Sequence, residues 1–363
     1  MTLDVLLLPG DGVGPEVTRQ AVRVLREVAR SFHHDLDLAE GLVGGQALAR
    51  TGSPLPEETQ RLAKTRSATL LGAVGLPEYD HHPPDRRPER GLLELRRLLG
   101  VYANLRPVRT SPASLAATPL KPEIVKGTNL VIVRELTSGI YYGRPRGLSG
   151  SGPEERAVNT MCYTRSEVER VGRIAFELAR ERRRKVTSVD KSNVLENSQL
   201  WRRVVTEIAS LFPDVTLDHL LVDNCAMQLV LNPGRFDVVL TENMFGDILS
   251  DEAAVLSGSI GLLPSASLGC IGPRGARVGL YEPVHGSAPD IAGTNAANPL
   301  GAIGSVALML RHSFRLEHEA RRVEEAIDAV VASGRVTADM RPGGPPATTS
   351  EVGDAVCAAL GGR

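Results

Sequence analysis

Two aspartates four residues apart stand in the segment Thr241-Glu242-Asn243-Met244-Phe245-Gly246-Asp247-Ile248-Leu249-Ser250-Asp251-Glu252. On a helix, that spacing puts Asp247 and Asp251 on one face, where like charges repel and a cation is needed to offset them. Two hard carboxylate donors suit Mg2+ or Mn2+, which keeps water or substrate oxygens in its other positions. A solvated acidic face is the plainer alternative. Arg106 and Arg134 each lie at an element end, in Asn104-Leu105-Arg106-Pro107 and after Val131-Ile132-Val133, and with Arg96 they offer guanidinium forks for bidentate carboxylate binding. Taken singly, each reads as a surface or ion-pair arginine. Lys191 follows an apolar run and Asp190; a lysine in a poorly solvated cleft can act as a base, whereas most loop lysines are solvated. Tyr141 and Tyr142 can donate a proton or pack.

Two glycine-bearing segments suggest ligand contact. Glu282-Pro283-Val284-His285-Gly286-Ser287-Ala288-Pro289-Asp290-Ile291-Ala292-Gly293 combines small residues, which admit close backbone approach, with a carboxylate that can accept ribose hydroxyls and repel a 2′-phosphate. A structural loop is the other reading. Gly10-Asp11-Gly12-Val13-Gly14-Pro15 invites comparison with a dinucleotide fingerprint, but its third glycine falls one position early and proline takes the required place. A tight turn leading into a helix, with Pro15 near the first turn, is favoured.

The elements that position these residues follow from hydrophobic pattern. Val5 to Leu8 is an apolar run ended by Pro9-Gly10, and Val17, Ala21, Val24, Leu25 and Val28 then recur at helical spacing. The same strand-to-polar-loop motif repeats at Thr69-Leu71 before Gly72, Leu130-Val133 before Arg134, Val186-Val189 before Asp190 and Val238-Leu240 before Thr241. Strands alternating with helices predict an α/β fold with ligands at the strand ends. The clearest helix is predicted from about Ser166 to Lys185, opened by a Thr164/Glu167 capping box and closed by the cationic block Arg180 to Lys185, read as a solvated helix end. Turn formers crowd residues 80–91, a possible ligand loop, and 143–152, a possible protruding arm, and the Pro/Gly run at 342–346 reads as a surface loop before a last helix.

The chain has 363 residues and a formal net charge of −1, which gives no electrostatic reason to expect a nucleic-acid partner or an anionic membrane surface. No apolar run is long enough for a membrane span and no signal peptide is apparent, while the four dispersed cysteines suit reduced thiols, so a cytoplasmic location is expected.

Taken together, LLLPGDGVGPEV, RPERGLLELR, YANLRPV, VRELTSGIYYGRPRG, VDKSNVLENSQLWR, VDNCAMQLV, TENMFGDILSDEAAVLSGSIGLLPSASLG and YEPVHGSAPDIAG span nearly the whole chain and resemble the isocitrate/isopropylmalate β-decarboxylating dehydrogenase family. The resemblance implies a two-domain α/β fold with mixed central sheets flanked by helices and a non-Rossmann NAD site. Residues 1–102 and 258–363 would form the nucleotide-side domain, and 103–257 a central substrate, metal and dimerisation domain with an arm at about 143–162. It also implies a homodimer with shared active sites, no nucleic acid and no membrane.

Carried over by position, Arg96, Arg106 and Arg134 would clamp the malate carboxylates, and Asp247 and Asp251 would hold Mg2+ or Mn2+ together with the partner subunit's Asp223, which would also face substrate. Tyr141 and a partner's Lys191 would be catalytic. Glu89, Leu92, Leu93 and a partner's Val194 would surround the C3 substituent. Gly75, Glu282, His285, Gly286, Ser287, Ala288, Asp290, Ile291 and Asn298 would contact NAD, and Gly10, Gly12 and Gly14 would not hold its pyrophosphate. The implied reaction is oxidative decarboxylation of (2R,3S)-3-isopropylmalate to 2-oxo-4-methylpentanoate, in leucine biosynthesis. Arg90, Leu76, Ser138 and Arg144 depart from the family pattern, leaving open a paralogue acting on another 3-alkylmalate, D-malate, tartrate or homoisocitrate.

Overall fold

A computed structural model describes residues 1–361 apart from 84–85, 112–114, 116, 273–274 and 342. Pro84 and Asp85 of the turn-rich 80–91 segment, and Pro342 of the Pro/Gly run, lie outside the described residues. Packing divides the chain into one compact unit of Met1–Val101, Thr110–Pro122 and Ala254–Arg363, and a second of Tyr102–Arg109 with Glu123–Ala253.

From the N-terminus the elements are β1 (Thr2–Gly10), α1 (Gly14–Ser31), β2 (Asp35–Glu40), α2 (Gly44–Thr51), α3 (Glu57–Thr65), β3 (Ala68–Ala73) and α4 (Pro88–Leu99). The central stretch supplies β4 (Ala103–Arg109), α5 (Pro122–Val125), β5 (Asn129–Glu135), β6 (Arg146–Ser149), β7 (Arg156–Asn159), α6 (Arg165–Arg180), β8 (Lys185–Asp190), α7 (Glu196–Ala209), β9 (Thr216–Leu221), α8 (Val222–Leu231), β10 (Val238–Thr241) and α9 (Asn243–Ala254). The chain ends with β11 (Pro264–Ile271), β12 (Arg277–Pro283), α10 (Leu300–His312), α11 (Glu317–Ala332) and α12 (Thr349–Gly361).

In the first unit the strands run β2-β1-β3-β12-β11, parallel except for the β12/β11 pair. The predicted stripe of α1 is buried throughout, and α10 is buried from Leu300 to Leu310 on every face, as an interior helix must be. The all-buried β3 explains why Thr69-Leu70-Leu71 reads as an unbroken apolar run rather than an alternating one. In the second unit the order is β4-β5-β10-β8-β9, with only β4/β5 antiparallel. The sheets are mixed and helix-flanked, as expected from the sequence.

The Thr164/Glu167 capping box forms at the start of α6. The far end differs from expectation, because the helix stops at Arg180 and Lys185 opens β8. Arg184 turns the chain at φ 59°. The cationic block is also paired rather than merely solvated: Arg180 reaches Asp214, and Arg182 Nε donates to the buried Asp237 at 2.9 Å. Buried Asp237 needs the cations of Arg182 and Arg183, and supplying them pulls the chain out of the helix. Residues 146–159 form the two-stranded β6/β7 ribbon, exposed at every strand position. All four cysteines are free, and no described helix is long and apolar enough to cross a membrane.

Candidate active site

The second unit gathers the charged residues singled out in the sequence. β10 leads directly into α9, which carries Asp247 and Asp251 on one face; their side chains are 36% and 64% exposed. The cations that this like-charge pair demands arrive from neighbouring strands. Arg106 on β4 donates through Nη1 to Asp251 Oδ1 at 2.9 Å and to Ser250 Oγ at 2.7 Å, and its Nη2 lies 3.8 Å from Asp247 Oδ1. Arg134, near the end of β5 and only 4% exposed, donates through Nη1 to Asp247 Oδ1. Its Nε and Nη2 both donate to Asn243 Oδ1, at 3.0 and 2.8 Å, which aims the fork at the acidic face. Asn243 is fixed in turn by its amide donating to Ser138 O and by Tyr163 Oη accepting from its backbone N–H.

Tyr141 completes the cluster. Its hydroxyl donates to Asp247 Oδ2 at 2.9 Å, and the Arg134 guanidinium stands 5.8 Å from its ring centroid. Burial, followed by the hydrogen bond to Asp247, pushes the phenol above its ordinary value, so the hydroxyl keeps its proton at neutral pH.

Lys191 and Asp223 form a separate pair in the same unit, with Nζ donating to Asp223 Oδ1 at 2.6 Å. That bond holds the Asp223 carboxyl below its usual range. Val194, three residues beyond Lys191, is largely exposed. Among the described residues no group of three acidic, histidine or cysteine side chains converges as a metal site within one chain. The chemistry of the donors nonetheless fits a divalent cation: two carboxylates at i,i+4 spacing leave accessible oxygens, and among the described residues their charge is offset by arginine side chains.

The first unit holds the remaining candidates. Arg96 on α4 pairs with Glu282 at the end of β12, Nη2 to Oε1 at 2.7 Å, both largely buried. Glu89 is exposed in the first turn of α4; Leu92 packs partly on the core around Leu6, Leu8 and Leu95, and Leu93 is half-buried. Gly75 adopts φ +129°, and a Cβ there would lie 3.1 Å from Glu89 Oε1 and 3.6 Å from Ser287 Oγ, so these three residues converge. In the loop after β12, His285 Nδ1 donates to Gly286 O at 2.8 Å, and its buried Nε2 has no partner among the described residues. Burial holds this imidazole below its ordinary value. An orphaned ring nitrogen, the backbone of Gly286 and Ala288, half-buried Ile291 and the exposed Asp290 carboxylate fit a nucleotide with polar edges. Asn298 is occupied internally, with Nδ2 donating to Asp339 at 2.9 Å and Oδ1 accepting the Leu300 amide at the start of α10.

Three positioning groups escaped the sequence reading. Asn243 and Ser250 orient the arginines, and their only signal was proximity to Asp247 and Asp251. Glu242 is buried with Oε1 unpartnered among the described residues, and burial raises its carboxyl to about 8.

Comparison with known proteins agrees along the whole chain. A family model described as isocitrate/isopropylmalate dehydrogenase matches residues 4–356. The 3-isopropylmalate dehydrogenase of Shouchella clausii is 54% identical over 361 residues, 99% of this chain and 98% of that protein. The enzyme of the same name from Geobacillus kaustophilus is 56% identical over 349 residues, 96% and 93% respectively. Among solved structures, isocitrate dehydrogenase from Methylococcus capsulatus superposes with a TM-score of 0.85 at 35% identity, covering 98% of each chain.

Proposed function

Because the chain belongs to the isocitrate/isopropylmalate dehydrogenase family, we propose that it oxidises and decarboxylates (2R,3S)-3-isopropylmalate to 2-oxo-4-methylpentanoate with NAD and Mg2+ or Mn2+, as a cytoplasmic homodimer in leucine biosynthesis. One observation carries this reading: two arginine forks, two aspartates at i,i+4 spacing and a protonated tyrosine meet in one cluster. Names of relatives more than half identical over nearly the full chain support the choice of substrate.

Asp247 and Asp251, joined by Asp223 of a second copy, would hold the divalent ion, which would supply a Lewis acid at the C2 oxygen, and NAD would supply the hydride acceptor. The protein's own groups do the remainder. Arg106 and Arg134 would exchange their aspartate partners for the substrate carboxylates, with Arg96 as the third anchor, because a guanidinium N–H that donates to an aspartate can donate equally to a bound carboxylate. Lys191 of the second copy, in its neutral form, would take the C2 hydroxyl proton. Tyr141 would hold on Oη the proton that C3 receives once CO2 has left. Glu89, Leu92, Leu93 and a second copy's Val194 shape an apolar recess for the C3 branch. Asp290 would accept the ribose hydroxyls and disfavour a 2′-phosphate, which would select NAD; Gly75, Glu282, His285 to Ala288, Ile291 and Asn298 would complete that site.

In this reading residues 1–102 and 258–363 carry the cofactor, 103–257 carry substrate, metal and dimer contacts, and the arm at 143–162 serves the second copy. The exposed β6/β7 ribbon supports the arm, since a lone two-stranded ribbon is only marginally stable. The test is NADH formation by the purified protein with Mg2+ or Mn2+ and 3-isopropylmalate, run beside malate, tartrate, isocitrate and other 3-alkylmalates. The highest kcat/KM is expected for 3-isopropylmalate, and turnover of another member of the panel alone would reject the assignment.

A further inference from the structure

The turn at Gly10–Gly14, which resembles a phosphate loop in sequence, is engaged inside the first unit. Asp11 is fully buried, and its carboxylate accepts three backbone hydrogen bonds. Oδ2 accepts from the Gly75 amide at 2.9 Å and the Gly45 amide at 2.8 Å, and Oδ1 accepts from the Gln46 amide at 2.9 Å. Gly45 and Gln46 open α2, whose N-cap residue Val43 has no side chain to offer, so a carboxylate 34 residues upstream satisfies amides that would otherwise be orphaned.

The main chain of the same turn ties two further points. Asp11 N–H donates to Ala73 O at the end of β3, and Val13 N–H donates to Ser287 O, both at 2.8 Å. At Gly12 the backbone has φ +55° and a Cβ would fall 2.0 Å from the Ser287 oxygen, so a side chain there would push the Ser287 loop away. Leu76 adds packing to the tie: its Cδ1 lies 2.5 Å from where a Cβ on Gly45 would stand, filling the space over the start of α2. One turn thus clamps the loop after β3 and the loop after β12, the two segments that converge at Gly75 and Ser287.

We infer that Asp11 is a positioning residue for the nicotinamide cofactor, fixing the Gly75 backbone relative to the Ser287 loop and so setting cofactor affinity without touching the cofactor. This rests on the assignment of those two loops to the cofactor in the proposed function. Asparagine in place of Asp11 keeps the shape but turns one acceptor into a donor facing an amide N–H, so one or two of the three bonds are lost.

The experiment compares NADH binding to unmodified protein and D11N by fluorescence titration, with thermal midpoints recorded for both. A rise in Kd for NADH of about tenfold or more is expected, the scale of one lost charge-assisted hydrogen bond. In turnover, KM for NAD should rise in parallel while kcat and KM for the malate stay within about threefold, far less than removing a residue that contacts the reacting atoms would cost. A lowered thermal midpoint with unchanged Kd would show Asp11 to be a folding support only and overturn the inference. Should D11N fail to fold, hydrogen exchange on the unmodified protein decides: the Gly75 amide is expected to be protected although it lies in a loop, and exchange at the rate of a free loop amide overturns the claim. NADH titration needs no substrate, so failure to turn over 3-isopropylmalate would count against the proposed substrate and leave the Asp11 result standing.

Discussion

Asp11 in the first unit and the Asp247/Asp251 pair in the second solve the problem of placing a carboxylate in opposite ways. Asp11 is sealed from solvent and held by backbone amides, donors that cannot rotate away. Asp247 and Asp251 keep part of their surface in water and are held by Arg106, Arg134 and Tyr141, whose side chains can let go. Glu242 is a third case, buried like Asp11 but held among the described residues by one long hydrogen bond, from the Asn197 side-chain amide to Oε2 at 3.3 Å, and burial raises its carboxyl to about 8. Backbone-held charge suits a fixed frame, whereas charge held by mobile cations suits a place where ligands come and go.

The sharpest way to break this contrast is Asp247→Asn. We expect kcat/KM to fall by ~10³ or more, because removal of a group that stabilises the reacting charge is felt in the transition state, and the thermal midpoint to fall as the nearly buried Arg134 loses its carboxylate partner. Chelation should mimic that loss and added Mg2+ should reverse it; activity unaffected by both would remove the metal from the scheme. Arg134→Lys is next. A point charge cannot bridge Asn243 and a carboxylate as the fork does, so kcat/KM should drop by ~10²-fold, mostly through KM for the malate rather than for NAD. Equal effects on both KM values would contradict the division of labour between the two units.

The last effect, read in stability rather than turnover, concerns Glu242. Its folded-state value near 8 lies above the unfolded value near 4.5, so the neutral folded form binds the proton more tightly and its stabilising contribution is fully present below pH ~4.5. That contribution is lost as pH rises to about 8. Glu242→Gln should therefore match the parent near pH 5 and exceed it by ~4 kcal/mol at pH 9, read from denaturant midpoints at the two pH values. Parallel curves would mean that water or a second copy already satisfies this carboxyl.

Much of this arrangement was legible from local pattern. β1, β3, β5, β8 and β10 announced themselves as apolar runs ending in polar or glycine residues, and the capping box located the start of α6. β11 was hidden because Ser265-Ala266-Ser267 carries little hydrophobic signal, although all three residues are buried; β12 is screened by glycine and polar neighbours. The end of α6 was misjudged because buried Asp237, which captures Arg182, stands 55 residues away. The i,i+4 spacing of Asp247 and Asp251 revealed the need for a cation but not which arginines supply it, a choice set by the β4, β5 and β10 neighbourhood. Asp11 gave no hint of its role, since its partners are main-chain amides and any residue type but proline carries one.

The first sheet is assembled from both ends of the polypeptide, since β12 pairs with β3 and both α10 and α12 pack on α1. During synthesis, β1, β2 and β3 leave the ribosome about 200 residues ahead of β12, a wait of ~10–40 s at elongation rates of ~5–20 residues per second. Throughout that interval α1 lacks its covering helices and β3 carries an open edge, whereas the second unit completes its last strand, β10, before β12 begins. Nascent chains arrested before residue 279 are therefore the species most in need of a holding chaperone, and the last hundred residues act as the closure that releases them.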